Sequence, residues 1–157
     1  MLALLFVGGC FLTSCSRKEV SAPTSPRPVQ PQPAPKYPST DPISDAISYA
    51  AYVMSEDLEP AAIVTPTRSG ATARHISRYR PGPPIVALTP RRETQRQLCL
   101  TWGAIPILIP ELRGSLSETA LAWAKKSLHL KPGDRIIITA GAFPTVGTTN
   151  NLRLEKI

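Results

Sequence analysis

The sequence has 157 residues, 18 of them proline, only three cysteines, and a formal charge of +7. That length suits one folded domain with a core of ordinary size. The cysteines, at positions 10, 15 and 99, lack both the pairing of a disulfide framework and the spacing of a metal site.

Residues 1–15, "MLALLFVGGCFLTSC", are apolar but too short to span a bilayer as a stable anchor. "VGGC" and "LTSC" each place two small residues before a cysteine, Cys10 or Cys15, and so resemble the end of a bacterial lipoprotein signal. A secretory signal should carry positive charge ahead of its apolar run, and this one does not. A lipid-anchored protein at the membrane is the favoured expectation, with Cys15 or Cys10 as the lipidation site. A cytoplasmic protein with a misassigned start is the alternative.

Residues 16–40 hold most of the tract in which eight prolines fall between Pro23 and Pro42. With few apolar side chains larger than alanine, this tract cannot offset the entropy of ordering, and it reads as an extended, disordered linker. A proline-rich ligand for an aromatic-lined module is the other reading.

The folded part is expected over 41–157. Asp41-Pro42 starts a helix, with an acceptor at the N-cap and proline at the first helical position. Ile43, Ala46, Ile47, Ala50 and Met54 follow at helical spacing and predict its buried face, ending near Asp57. "PAAIVT" (60–65) is a strand covered on both sides, and Ser69 to Arg78 a second helix. "PPIVALT" (83–89) is a second strand, and Thr89-Pro90 predicts the cap of a helix running to about Trp102, with Cys99 buried inside it. "AIPILIP" (104–110) is a third strand, placed at a sheet edge by Pro106. Ser115 and Glu118 form a capping box before a helix carrying Leu121, Ala124 and Leu128 on one face. "RIIITAG" and "NLRLEKI" complete the strands. The alternation predicts an α/β fold, a three-layer α/β/α domain around a mostly parallel sheet.

Between Arg68 and Arg96 stand seven arginines and one acid, Glu93. Arginine suits bidentate recognition of phosphate or carboxylate, although a solvated basic face has the same composition. "TPTRSGATARHISRYRP" (65–81) opens this region at the carboxyl end of the first strand, the edge where open α/β sheets bind ligands. Its backbone N–H groups and helix dipole favour an anion there. Gly70 admits close approach, and Ser69 and Thr72 supply hydroxyls.

"DAISYAAYVM", "TRSGATARHISRYRP", "PIVALTP", "QLCLTWGAIPIL", "GDRIIITAG" and "GTTNNLRLEKI" resemble, in this order, the C-terminal domain of pyruvate kinase. The resemblance covers about residues 41–157 and implies a mixed five-strand sheet with the last strand antiparallel. It implies no catalytic residue, metal or cofactor here, because the family's reacting groups lie in a preceding β/α barrel, which takes about 250 residues. His75, His129, Ser69 and Cys99 suggest no independent nucleophile and base either.

The family uses this domain to bind phosphorylated effectors and to pack subunits together. Thr67, Arg68, Ser69, Gly70 and Thr72 match its phosphate loop. Backbone N–H groups from Arg68 to Ala71 and the hydroxyls of Ser69 and Thr72 are the expected donors. Arg68 supplies charge, and Arg74 lines the rim one turn on. "GAFPTVGTTN" (141–150) is the counterpart of the family's closing loop but has no Arg or Trp to grip a sugar bisphosphate, which leaves the effector open.

The expected function is a non-catalytic regulatory or sensor domain for a phosphorylated small metabolite. The alternative is a structural domain, forming homo-oligomers or docking on a pyruvate kinase partner, with Gly70 serving only the turn. Nucleic acid is the least favoured partner, because the arginines lack interleaved exposed aromatics and no known reading motif is present.

Overall fold

The computed structural model describes residues 41–112, 115–141 and 149–157. Cys10, Cys15, the proline-rich tract and most of the 141–150 loop lie outside them. Four helices, α1 (Pro42–Leu58), α2 (Ala71–Ser77), α3 (Arg92–Leu98) and α4 (Leu116–Ser127), accompany five strands. These are β1 (Ala62–Pro66), β2 (Ile85–Thr89), β3 (Ala104–Leu108), β4 (Arg135–Ala140) and β5 (Asn151–Lys156).

The strands form one sheet in the order β3-β2-β1-β4-β5. β1 pairs in parallel with β2 and β4, β2 pairs in parallel with β3, and β5 runs antiparallel to β4. This is the mixed sheet that the resemblance implied. Pro106 sits on the β3 edge, where a missing N–H costs no ladder bond.

Alternate residues of the central strands serve two separate cores. Val64, Val86, Leu88, Ile136 and Ile138 pack with Leu116, Ala120, Leu121 and Ala124 of α4. Ile63, Ile85, Ala87 and Ile137 pack on the opposite face with Ala51 of α1, Ala73 and Ile76 of α2, and Leu98 of α3. Each central strand therefore buries both faces, which is why its sequence reads as an unbroken apolar run.

Three local expectations need correction. The buried face of α1 is Ser44, Ser48, Ala51 and Ser55, while Ile43 is 56% exposed. Small side chains let the helix lie close to the sheet. Their hydroxyls are satisfied nearby: Ser48 Oγ donates to the Ser44 carbonyl (2.7 Å) and Ser55 Oγ to the Tyr52 carbonyl (2.7 Å), so burying them leaves no unpaired donor. The third helix begins at Arg92 and ends at Leu98, without a cap from Thr89. The Thr89 carbonyl already accepts from Ile109 N in the β2–β3 ladder (2.9 Å), which holds Thr89 in the strand. Cys99 is exposed rather than buried, because Thr94 and Leu98 form the inward stripe of that helix.

The α1 cap forms as expected. Ser44 N donates to Asp41 Oδ1 (3.2 Å) and Ser44 Oγ to Asp41 Oδ2 (2.5 Å). The hydrogen bond from the Ser44 hydroxyl is the main cause that holds the Asp41 carboxyl below its ordinary value of 3.8. A depressed carboxyl stabilises the fold above its unfolded pKa, and that contribution is lost as pH falls through the lower folded value. Replacing Asp41 with alanine should cost about 1 kcal/mol at neutral pH. It should also flatten the loss of stability on acidification below pH 3.8, as read by urea melts across that range. An unchanged neutral midpoint would contradict this role.

Candidate functional site

The order β3-β2-β1-β4 contains a reversal. From β1 the chain moves outward through β2 and β3, then returns to place β4 on the other side of β1. The carboxyl ends of β1 and β4 flank that switch point, the place where open α/β sheets bind ligands. Thr67–Gly70 follows β1 directly into α2 and so lies there.

Each residue of the loop is held. Thr67 N continues the β1–β2 ladder to the Leu88 carbonyl (2.8 Å). Gly70 N donates to Thr67 Oγ1 (2.9 Å), closing a tight turn. Thr94 Oγ1 of α3 donates to the Arg68 carbonyl (2.7 Å), and Arg74 Nη2 folds back to the Ser69 carbonyl (2.8 Å). Gly70 is the left-handed N-cap of α2, with φ of 78°. A β-carbon there would lie 2.9 Å from Arg74 Nη1 and 3.1 Å from Leu98 Cδ2, so the left-handed backbone favours glycine and a larger residue would also push these two side chains aside.

These bonds divide the expected donors. The N–H of Gly70 bonds the Thr67 hydroxyl, and that of Ala71 makes a long contact with Ser69 Oγ (3.4 Å). Thr72 is buried, and its hydroxyl shares a 2.6 Å hydrogen bond with that of Thr149. The structure thus gives Thr72 a partner within the chain. Arg74 braces the loop from outside. Arg68 and Ser69 keep backbone N–H groups with no partner among the described residues. The Nε of Arg68 is buried, likewise with no hydrogen-bond partner among them.

Sequence reasoning missed the residues that hold the site together. Thr149 N donates to Ser44 Oγ (2.8 Å), and the same Ser44 hydroxyl donates to Asp41. A chain of contacts therefore runs from the α1 cap through the end of the 141–150 loop to Thr72 on α2. Thr65 and Thr139, fully buried near the ends of β1 and β4, carry hydroxyls without partners among the described residues. Only the placement of "GTTN" after an apolar strand hinted at such a role. Among the described residues no group of three or more His, Cys, Asp or Glu side chains could hold a metal ion.

The sheet order, the helix on either face and the loop at the reversal define a doubly wound α/β domain. A family model described as pyruvate kinase, alpha/beta domain, matches residues 45–155, and the chain belongs to that family. It is 40% identical over 119 residues to pyruvate kinase 2 of Synechocystis sp., covering 73% of this chain and 20% of that protein. It is 37% identical over 118 residues to pyruvate kinase of Clostridium acetobutylicum, covering 73% and 25%. It is 39% identical over 120 residues to that of Thermotoga maritima, covering 75% and 26%. The chain thus spans only a fifth to a quarter of the length of these relatives.

The packing around Gly70 yields a direct test. Gly70→Ala should lower stability by about 1–2 kcal/mol, from the left-handed backbone alone, with a further cost from the contact with Leu98. A chemical-denaturation midpoint equal to wild type would show that the turn tolerates a β-carbon.

Proposed function

We propose that the chain is a non-catalytic regulatory or sensor domain that binds a phosphorylated small metabolite at Thr67–Thr72. The observation that carries this reading is the buried, unpartnered Nε of Arg68 at a switch-point loop. A buried guanidinium N–H is costly to leave unsatisfied, and a phosphate oxygen is its natural acceptor. The Arg68 and Ser69 N–H groups and the Ser69 hydroxyl add donors. Thr72 and Thr149 act one step behind, fixing α2 against the neighbouring loop rather than touching the ligand. Gly70, Ala71 and Arg74 set the shape of the turn.

A second reading has its own support. Ile43 is 56% exposed and Leu154 of the edge strand β5 is 41% exposed, which suits packing against another copy or against a pyruvate kinase partner. On that reading the domain assembles subunits and the loop is a basic turn. The two readings are compatible in one protein, but only the first needs the loop to bind.

Each charge-assisted bond contributes about 1.5–3 kcal/mol, so removing one donor should weaken affinity at least tenfold. Ser69→Asp is sharper, because Ser69 is exposed and the new carboxylate would occupy the phosphate position. Isothermal titration with phosphorylated sugars should show binding by wild type and none by this variant, with the fold intact. If wild type binds none of them at millimolar concentration, the assembly reading stands alone.

A further inference from the structure

Tyr79, the ring between Arg78 and Arg80 in the sequence, packs against Tyr49 and Tyr52, but the fold brings another ring to the arginines. Arg74 and Arg78 share the outer face of α2, and Arg80 follows in the turn beyond it, held in a left-handed conformation (φ 51°). Trp102 comes from the turn after α3 and is half exposed. Ser77 Oγ donates to the Trp102 carbonyl (2.7 Å), which fastens the two turns together. Between them lies an open cleft of about 540 Å³, lined by Arg74, Arg78, Arg80, His75, Thr101 and Trp102 among others, with no carboxylate in its lining.

Asp45 of α1 lies 2.9 Å from His75 Nδ1 and 3.7 Å from Arg78 Nη1, so a carboxylate sits behind this end of the cleft. Arg74 spends one N–H on the Ser69 carbonyl. Even so, three guanidiniums on an acid-free wall leave a strong excess of donors for an anion. The volume falls within the range of small-molecule sites. One exposed indole among arginines offers a flat face for a ring next to a set of phosphate donors.

We propose that this cleft is a second ligand site, distinct from the loop after β1, and that it takes a free nucleoside polyphosphate. The base stacks on Trp102, and the phosphates lie along Arg80, Arg78 and Arg74. Arginines along one face of a short helix suit two or three linked phosphates better than one. A single exposed ring suits one base rather than a strand of several.

The test follows tryptophan fluorescence of the full chain as ADP is added with EDTA present. Ribose 5-phosphate and an eight-residue oligothymidylate serve as comparisons. Trp123 packs against the core and supplies a constant background. Saturable quenching by ADP is expected in wild type, and its dependence on Trp102 and Arg80, both outside Thr67–Thr72, separates this site from the loop. Quenching of the indole by ribose 5-phosphate should need at least about tenfold more ligand, because it lacks the stacking ring. Trp102→Ala and Arg80→Glu should each weaken ADP about tenfold or more, read by calorimetry where the indole is gone. Arg80 is exposed, so its variant carries the test if Trp102→Ala fails to fold. The proposal is overturned by absence of saturation at millimolar ADP or by variants that bind as wild type does. It is equally overturned by ribose 5-phosphate quenching the indole at as low a concentration as ADP does, or by saturation with the oligonucleotide but not with ADP.

Discussion

The 2.6 Å hydrogen bond between the buried hydroxyls of Thr72 and Thr149 joins two parts of the chain 77 residues apart. It ties the first turn of α2 to the segment entering β5, across the reversal of the sheet. Thr149 N then reaches Ser44, and Ser44 reaches Asp41, so the cap of α1 belongs to the same network. A buried hydroxyl left without a partner is costly, so each member of this network holds the next in one geometry. The loop after β1 inherits that rigidity. With its carbonyls already fastened by Thr94 and Arg74, it would lose little freedom on binding the proposed ligand.

Arginine does several different jobs here despite its clustering in the sequence. Arg74 closes the loop through a backbone carbonyl, and Arg78 approaches Asp45 across the α1–α2 seam. That seam also carries the rings of Tyr49, Tyr52 and Tyr79, with centroids 5.4–6.2 Å apart. On the far side of the sheet, Arg153 of β5 bridges Glu118 of α4 and Glu155 of its own strand. Glu118 therefore contributes its backbone N–H to the Ser115 cap while its side chain serves the edge strand. Among the described residues only Arg68 keeps a buried guanidinium N–H without a hydrogen-bond partner, and this sets it apart from the structural cations around it.

The fold was legible because strands buried on both faces leave continuous apolar runs, and Ile136, Ile137 and Ile138 are all fully buried. Periodicity misread α1, because its inward face is built of serines whose burial depends on partners such as Thr149, far away in the sequence. The helix after β2 starts late for a similar reason: Thr89 looks like a cap locally, but the β3 ladder claims its carbonyl. At the site, "TRSGAT" was recognisable as a loop, and the φ of 78° at Gly70 follows from its glycine. The sequence could not show that Thr72 would be spent on Thr149, or that Trp102 would arrive beside Arg74 and Arg80. Both are tertiary contacts between segments with no local signal for each other.

The most direct test of the central claim is an amide spectrum of the isotope-labelled chain, recorded with resolved arginine Nε–H signals and titrated with phosphorylated sugars. The account predicts saturable shifts at the Arg68 and Ser69 backbone amides and at the Arg68 Nε–H, with little change at Thr72. Saturable binding that leaves all three of these signals unmoved would contradict it.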